Sequence, residues 1–243
     1  MLANKEGEMV PQVTFINRKD NDWQKLTSDE IFKGRKVVLF ALPGAFTPTC
    51  SSTHLPRYNE LAPVFKAEGV DAIYCLSVND GFVMESWCGD QHAGNIEFLA
   101  DGNGAFSEGM GMLVDKSDIG FGKRSWRYSM LVNDGKIEKM FIEPEEPGDP
   151  FKVSDADTML NYLNPNATQP KRVAVFTKLG CPHCARAKAL LREHGIGFEE
   201  ISLSGHGLSY STLQAVTGQG TTPQVYIDGR RIGGADDLEE YLS

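Results

Sequence analysis

Apolar and polar residues alternate from Val10 to Ile16, which predicts one strand of an opening hairpin with its turn at Asp20-Asn21-Asp22. Thr27-Ser28-Asp29-Glu30 has helix-start chemistry before the apolar pair Ile31-Phe32. Lys36 to Leu42, with its apolar run Val37-Val38-Leu39-Phe40, reads as the first buried strand. Beyond it, Leu55, Tyr58, Ala62 and Phe65 recur at helical spacing. Ala72 to Val78 reads as a second buried strand, Phe82 to Gln91 as a helix and Ile96 to Ala100 as a short strand. Gly102 to Gly122 is rich in glycine, with Phe106, Met110 and Met112 as apolar contacts. Trp126 to Val132 and Ile137 to Ile142 predict a hairpin around Asn133-Asp134-Gly135. Ser154 is expected to begin a closing helix whose apolar side is Met159, Leu160 and Leu163.

The run Asn164-Pro165-Asn166-Ala167-Thr168-Gln169-Pro170 holds no large apolar residue and reads as a linker. It divides a domain over 1–163 from a smaller one over 171–243, with 164–170 between them. The smaller half repeats the strand-then-helix order. Val173 to Phe176, Phe198 to Leu203 and Val225 to Ile227 read as strands, and Ala185 to His194, Tyr210 to Val216 and Ala235 to Leu242 as helices. The fold class is therefore α/β in both halves, each a central mixed sheet flanked by helices.

Composition narrows the function classes. At 243 residues two domains fit, and 41% hydrophobic with 23% charged residues is ordinary for a globular chain. A net charge of −9 argues against a nucleic-acid or anionic-membrane surface. No apolar run approaches the roughly 18 residues of a membrane span. The first residues, Met1 to Glu8, lack the apolar core of a signal peptide, and five cysteines make an odd count. A reducing cytoplasm is the expected location.

The chemistry concentrates at Pro43-Gly44-Ala45-Phe46-Thr47-Pro48-Thr49-Cys50, where the first buried strand passes into a helix. The opening amides of a helix have no intrahelical partner and favour negative charge, so a thiolate is stabilised at Cys50. That effect is about 0.3–1 kcal/mol, up to about 2, so a reactive cysteine also needs a fixed cation nearby. The stretch resembles the peroxiredoxin pattern Pro-x-x-x-Thr-x-x-Cys through Pro43, Thr47 and Cys50, and with His54-Leu55-Pro56 it is similar to the peroxiredoxin-5 branch. The run Arg124-Ser125-Trp126-Arg127-Tyr128-Ser129 matches the family's arginine segment, with Arg127 in the matching position. The resemblance covers roughly 5–163 and implies the thioredoxin-like fold that the strand–helix order suggests. It implies that Thr47 holds the peroxide, Pro43 shields the site from water and Arg127 completes it.

In the second half, Cys181-Pro182-His183-Cys184 between a strand and a helix reads as a dithiol redox site. Zinc would need a second ligand pair, and none exists, so no metal is expected. Cys181, nearest the helix start, is the expected nucleophile and Cys184 its resolving partner. Residues 171–243 resemble glutaredoxins. That resemblance implies a cis Pro223, a Thr222 that pairs with the glutathione backbone, and Lys178, Ala235 and Asp236 holding its ends. Asp236 could also cap the last helix, and both roles can hold together. His183 departs from the family's usual aromatic residue and, when protonated, would favour the reduced dithiol.

The remaining candidates read more plainly. Cys75 is a buried hydrophobe in a strand, and Cys88 a partly exposed helix residue. His54 could add positive potential near Cys50, or sit at the surface or in a hydrogen bond. His92, His194 and His206 lack partners at metal-ligand spacing, and Glu143-Pro144-Glu145-Glu146-Pro147 reads as a solvated loop.

Taken together, the chain resembles hybrid peroxiredoxin–glutaredoxin fusions. The resemblance implies a peroxidase that reduces hydrogen peroxide and organic hydroperoxides with glutathione as co-substrate, served indirectly by glutathione reductase and NADPH. No bound cofactor is expected, and a homodimer or homotetramer is. Two rivals are a deglutathionylation or disulfide catalyst with a sensing first half, and a peroxide-triggered holdase or relay.

Overall fold

The computed structural model describes residues 2–203 and 207–243, so His206 lies outside the described residues. The chain divides into two compact units, Met1–Thr168 and Gln169–Ser243.

The first unit runs β1 (Thr14–Lys19), β2 (Asp22–Thr27), α1 (Ser28–Phe32), β3 (Lys36–Ala41), α2 (Leu55–Ala67), β4 (Ala72–Ser77), α3 (Gly81–Asp90) and β5 (Glu97–Ala100). It continues with α4 (Ala105–Gly109), β6 (Leu113–Asp115), β7 (Lys123–Ser125), β8 (Tyr128–Asn133), β9 (Lys136–Ile142) and α5 (Ala156–Leu163). The central sheet has the order β5-β4-β3-β8-β9. β3, β4 and β5 are parallel to one another, whereas β8 is antiparallel to both β3 and β9.

The unbroken apolar run of β3 follows from burial on both faces. Val38, Phe40 and Leu42 pack with Leu55, Tyr58 and Trp87 on one side, and Val37 and Leu39 with Phe15 and Phe106 on the other. Fully burying each such side chain contributes about 1.5–3 kcal/mol. The register of β3 with β8 places Ala41 opposite Tyr128, and that of β8 with β9 places Tyr128 opposite Ile142. Three strand ends therefore meet at one edge. The segment after β3 carries Cys50, the residue before β8 is Arg127 and the residue after β9 is Glu143.

Three expectations are corrected. The opening hairpin is shifted towards the C-terminus, because residues 7–10 pair with the β8–β9 hairpin instead: Gly7 N–H donates to the Ile137 carbonyl at 2.8 Å and Val10 N–H to that of Gly135 at 2.9 Å. The alternation over 10–16 thus spans two different partners. The last helix of this unit is capped by Asp155, which accepts the Thr158 amide at 2.9 Å, and not by Ser154. Glu143 is no solvated loop residue. It is buried, and its carboxylate accepts the backbone amides of Lys152 (2.8 Å), Val153 (2.9 Å) and Ser154 (2.8 Å) and the Ser154 hydroxyl (2.8 Å). The loop closes over its own acid because those amides have no strand to pair with.

The second unit comprises β10 (Val173–Thr177), α6 (Pro182–Glu193), β11 (Glu199–Ser202), α7 (Tyr210–Thr217), β12 (Gln224–Ile227), β13 (Arg230–Gly233) and α8 (Ala235–Leu242). Its sheet order is β11-β10-β12-β13, with β10 parallel to β11 and antiparallel to β12. Val175, Ala187, Leu191, Val225 and Leu238 form its core. Both units are helix-flanked mixed sheets of the thioredoxin type. Among the described residues, no helix is long and apolar enough to cross a membrane.

Replacing Glu143 with Ala should lower the stability of the first unit by about 2–3 kcal/mol, since buried donors lose a charged acceptor. All three tryptophans of the chain, Trp23, Trp87 and Trp126, lie in this unit, so thermal unfolding followed by tryptophan fluorescence reads it alone. An unchanged midpoint would refute the assignment.

Candidate active site

β3 ends inside the sheet, and the chain crosses its edge as Pro43 to Thr49 before re-entering a helix. The Asn79 side chain holds this crossing: its Oδ1 accepts the Ala45 amide at 3.1 Å and the Ser77 hydroxyl at 2.7 Å. Phe46 sits in the left-handed region at φ 60°, a conformation that costs a non-glycine residue of order 1–3 kcal/mol. The Thr47 hydroxyl donates to the Gly44 carbonyl at 2.8 Å, and Pro43 is half-buried beside it. Cys50 to His54 then form a single wide π turn that leads into α2. Such turns gather at functional positions.

Cys50 exposes no surface. Arg127, only 1% exposed, reaches it from just before β8 and points Nη2 at the sulfur, 3.4 Å away across 77 residues of sequence. The same guanidinium makes two further sets of contacts. Nη2 lies 2.5 and 2.6 Å from the Asp149 carboxylate oxygens, with Nε 3.2 Å from Oδ1. Nη1 lies 3.1 Å from His54 Nδ1. Burial works against a charged guanidinium, but the Cys50 sulfur and the Asp149 carboxylate outweigh it, and the Arg127 pKa ends above its ordinary value.

His54 is fully buried, so the surface reading is wrong. The positive-potential reading fails as well. Burial first, and the neighbouring Arg127 charge second, push its pKa down to about 3. The ring is neutral, and because arginine can only donate, Nδ1 accepts. Nε2 then carries the proton and donates to the Ser154 carbonyl at 3.2 Å. Helical spacing from Cys50 could have placed His54 at the site. Nothing in the sequence pointed to Asp149, which sits on an irregular loop 22 residues beyond Arg127.

In the second unit Cys181 is the residue before α6, and its sulfur accepts the Cys184 amide at 3.2 Å. The two cysteines form a disulfide; Cys181 is half-buried and Cys184 buried. The peptide bond before Pro223 is cis, and the Thr222 hydroxyl lies 3.8 Å from Cys181 Sγ. Lys178 is exposed and lies with Cys181, Lys188 and Glu200 along a groove of about 380 Å³. Thr222, Ala235 and Asp236 do not line this groove. Ala235 is buried, and Asp236 pairs with Arg186. The N-cap of α8 is Gly234, whose amide donates to the Asp237 carboxylate at 2.7 Å, so Asp236 does not cap the helix.

Cys75 is buried in β4, where burial raises its pKa well above the ordinary value. Burial likewise raises that of the half-buried Cys88. Both therefore stay protonated thiols.

A cysteine facing a fixed guanidinium on a thioredoxin-type sheet, in a chain whose other unit carries a dithiol, defines a thiol redox enzyme. The Redoxin family model matches residues 5–160 and the Glutaredoxin model residues 173–232. A protein described as hybrid peroxiredoxin hyPrx5, from Haemophilus influenzae, is 60% identical over 242 residues, covering 100% of both chains. Peroxiredoxin sll1621 of Synechocystis is 56% identical, over 69% of this chain and 98% of its own. Among solved structures, reduced Prx3 in complex with H2O2 from Vibrio vulnificus superposes with a TM-score of 0.62. It is 42% identical and covers 67% of this chain and 99% of that one. The chain belongs to the hybrid peroxiredoxins, Redoxin-family proteins fused to a glutaredoxin unit, and is an oxidoreductase that reduces peroxide by thiol chemistry.

The buried neutral His54 has a pH signature. Its folded pKa is below the unfolded value near 6.5, so the unfolded chain takes up the proton first. Stability of the first unit should be intact above about pH 6.5 and fall by about 1.4 kcal/mol per unit as pH drops towards 3. Urea titrations followed by tryptophan fluorescence should show that slope in the wild type, and a shallower one in His54→Asn. Equal slopes would contradict it.

Proposed function

We propose that this protein is a glutathione-dependent peroxidase in which Cys50 meets the peroxide and the dithiol unit restores it. The observation that carries the reading is the Arg127 Nη2 to Cys50 Sγ contact of 3.4 Å in a chain that also holds Cys181 and Cys184.

The Cys50 thiolate attacks the terminal peroxide oxygen. The O–O bond breaks, the leaving oxygen departs as water or alcohol after taking a proton, and Cys50 becomes a sulfenic acid. Thr47 orients the peroxide through its hydroxyl, Pro43 keeps water away, and Arg127 faces the negative charge that passes to the leaving oxygen. Glutathione condenses with the sulfenic acid, releasing water and leaving a mixed disulfide. Cys181 then attacks the glutathione sulfur and releases the Cys50 thiolate. A second glutathione, or Cys184, frees Cys181, and glutathione disulfide or the Cys181–Cys184 disulfide is the oxidised product. Fusion raises the effective concentration of the second thiol to roughly millimolar where the linker spans the distance.

Access differs between the two steps. A peroxide is small, whereas glutathione must bring a sulfur to a cysteine that exposes no surface. The π turn at Cys50–His54 and the left-handed Phe46 mark the segment that opens for it. Lys178, Thr222, Pro223, Ala235 and Asp236 serve the tripeptide at the dithiol, with the charge types that two carboxylates and an ammonium require. Exposed Phe46, Phe82 and Trp23 support assembly as a homodimer or homotetramer, and a thiol-based cycle of this kind suits a reducing cytoplasm.

The test is peroxide consumption coupled to NADPH through glutathione reductase, comparing wild type with Cys50→Ser and Cys181→Ser. Loss of at least about a hundredfold is expected in Cys50→Ser and at least about tenfold in Cys181→Ser. Full activity in Cys181→Ser would mean that glutathione recycles Cys50 unaided. An inactive wild type would point to another electron donor.

A further inference from the structure

Arginine carries five N–H donors in a rigid plane, and their distribution around Arg127 is uneven. The side formed by Nε and Nη2 is taken by the Asp149 carboxylate, at 3.2 Å from Nε and 2.5 and 2.6 Å from Nη2. The end formed by Nη1 and Nη2 faces the chemistry, with Nη2 3.4 Å from Cys50 Sγ and Nη1 3.1 Å from His54 Nδ1. We propose that Asp149 is a positioning residue for peroxide reduction: by occupying the Nε/Nη2 side, it aims the Nη1/Nη2 end of Arg127 at the Cys50 sulfur. This rests on the reading of Cys50 as the thiol that meets the peroxide.

The segment carrying Asp149 is built to hold it still. Two residues on, the Phe151 ring centroid lies 5.5 Å from the guanidinium carbon and 4.9 Å from the His54 ring. Over the next three residues, Glu143 pins the amides of Lys152, Val153 and Ser154, and the Ser154 carbonyl accepts from His54. Lys152 also pairs with Glu146 at 2.5 Å across the loop. One loop thus supplies Asp149 and Phe151 to Arg127, and fixes His54 through Ser154.

The arrangement suits the reaction. A guanidinium that must meet charge moving from the sulfur to the leaving oxygen works best when its plane is fixed beforehand. A bidentate carboxylate fixes both the position and the rotation of that plane, which a single hydrogen bond does not. The Asp149 carboxylate meets Arg127, not the sulfur, and its effect passes through the guanidinium.

The experiment uses the full-length reduced protein as wild type, Asp149→Ala, Asp149→Asn and Cys50→Ser. Each is mixed with hydrogen peroxide in a single turnover, quenched, and scored by mass spectrometry for oxygen added to Cys50. Separate reduced samples of the same proteins are alkylated with iodoacetamide over a range of pH, and the limiting Cys50 rate at high pH, where the thiol is ionised whatever the guanidinium does, is compared. Asp149→Ala should slow oxidation about 30- to 100-fold, the scale of a 1 Å misplacement, and Asp149→Asn, which keeps one acceptor, about 3- to 10-fold. Alkylation should stay within about threefold of wild type in both. Oxidation that is unchanged or faster would overturn the proposal, the latter showing that Asp149 competes for Arg127. Parallel loss of oxidation and alkylation would show that Asp149 only maintains the fold. Wild-type peroxide consumption by Cys50→Ser would instead overturn the reading of Cys50, and the proposal with it.

Discussion

A guanidinium buried beside a sulfur is the constraint around which the first unit is arranged. Taking such a charge out of water costs several kcal/mol unless its donors are met. Arg127 is 1% exposed, and its nitrogens are met by two different segments of chain: the turn after β3 through Cys50 and His54, and the loop after β9 through Asp149. Those segments can converge only because β8 lies between β3 and β9 in the sheet. The strand order that closes the core is also what delivers the cation to the cysteine.

The loop after β9 has its own buried charge at the opposite end. Glu143 collects four donors from residues 152–154, and its own amide donates to the Arg127 carbonyl at 3.1 Å. An acid and a base are thus buried close together without pairing with each other. Each is satisfied by the loop between them, so the loop conformation and the direction of Arg127 depend on one another. His54, neutral and locked with its proton on Nε2, closes the circuit through Ser154.

The two thiol sites share a placement and differ in access. Both Cys50 and Cys181 stand where a strand gives way to a helix, at the carboxyl edge of a parallel pair. Cys50 is enclosed and faces a fixed cation. Cys181 is half-buried, opens on a groove and has a second cysteine one turn away. An enclosed sulfur suits a two-oxygen substrate, whereas an open one suits exchange with other thiols.

Much of this was legible in the chain itself. The apolar runs at 37–42 and 72–76 determined buried strands, and the Asn133-Asp134-Gly135 turn determined a hairpin, because these signals are local. Cys50 and the Cys181–Cys184 pair were legible for the same reason, since a thiol after a strand and at a helix start is a pattern of neighbours. The opening strand was misplaced because the alternation from Val10 to Ile16 does not reveal that its two ends pair with different partners. Glu143 looked like a solvated acid because burial of a charge depends on amides that fold back onto it from nine to eleven residues away. Asp149 was invisible, and His54 ambiguous, on the same physical ground. Local sequence determines which elements form and where the thiols sit. The direction of the Arg127 donors, and the neutral state of the histidine beside them, were decided only when the three strand ends came together and excluded water.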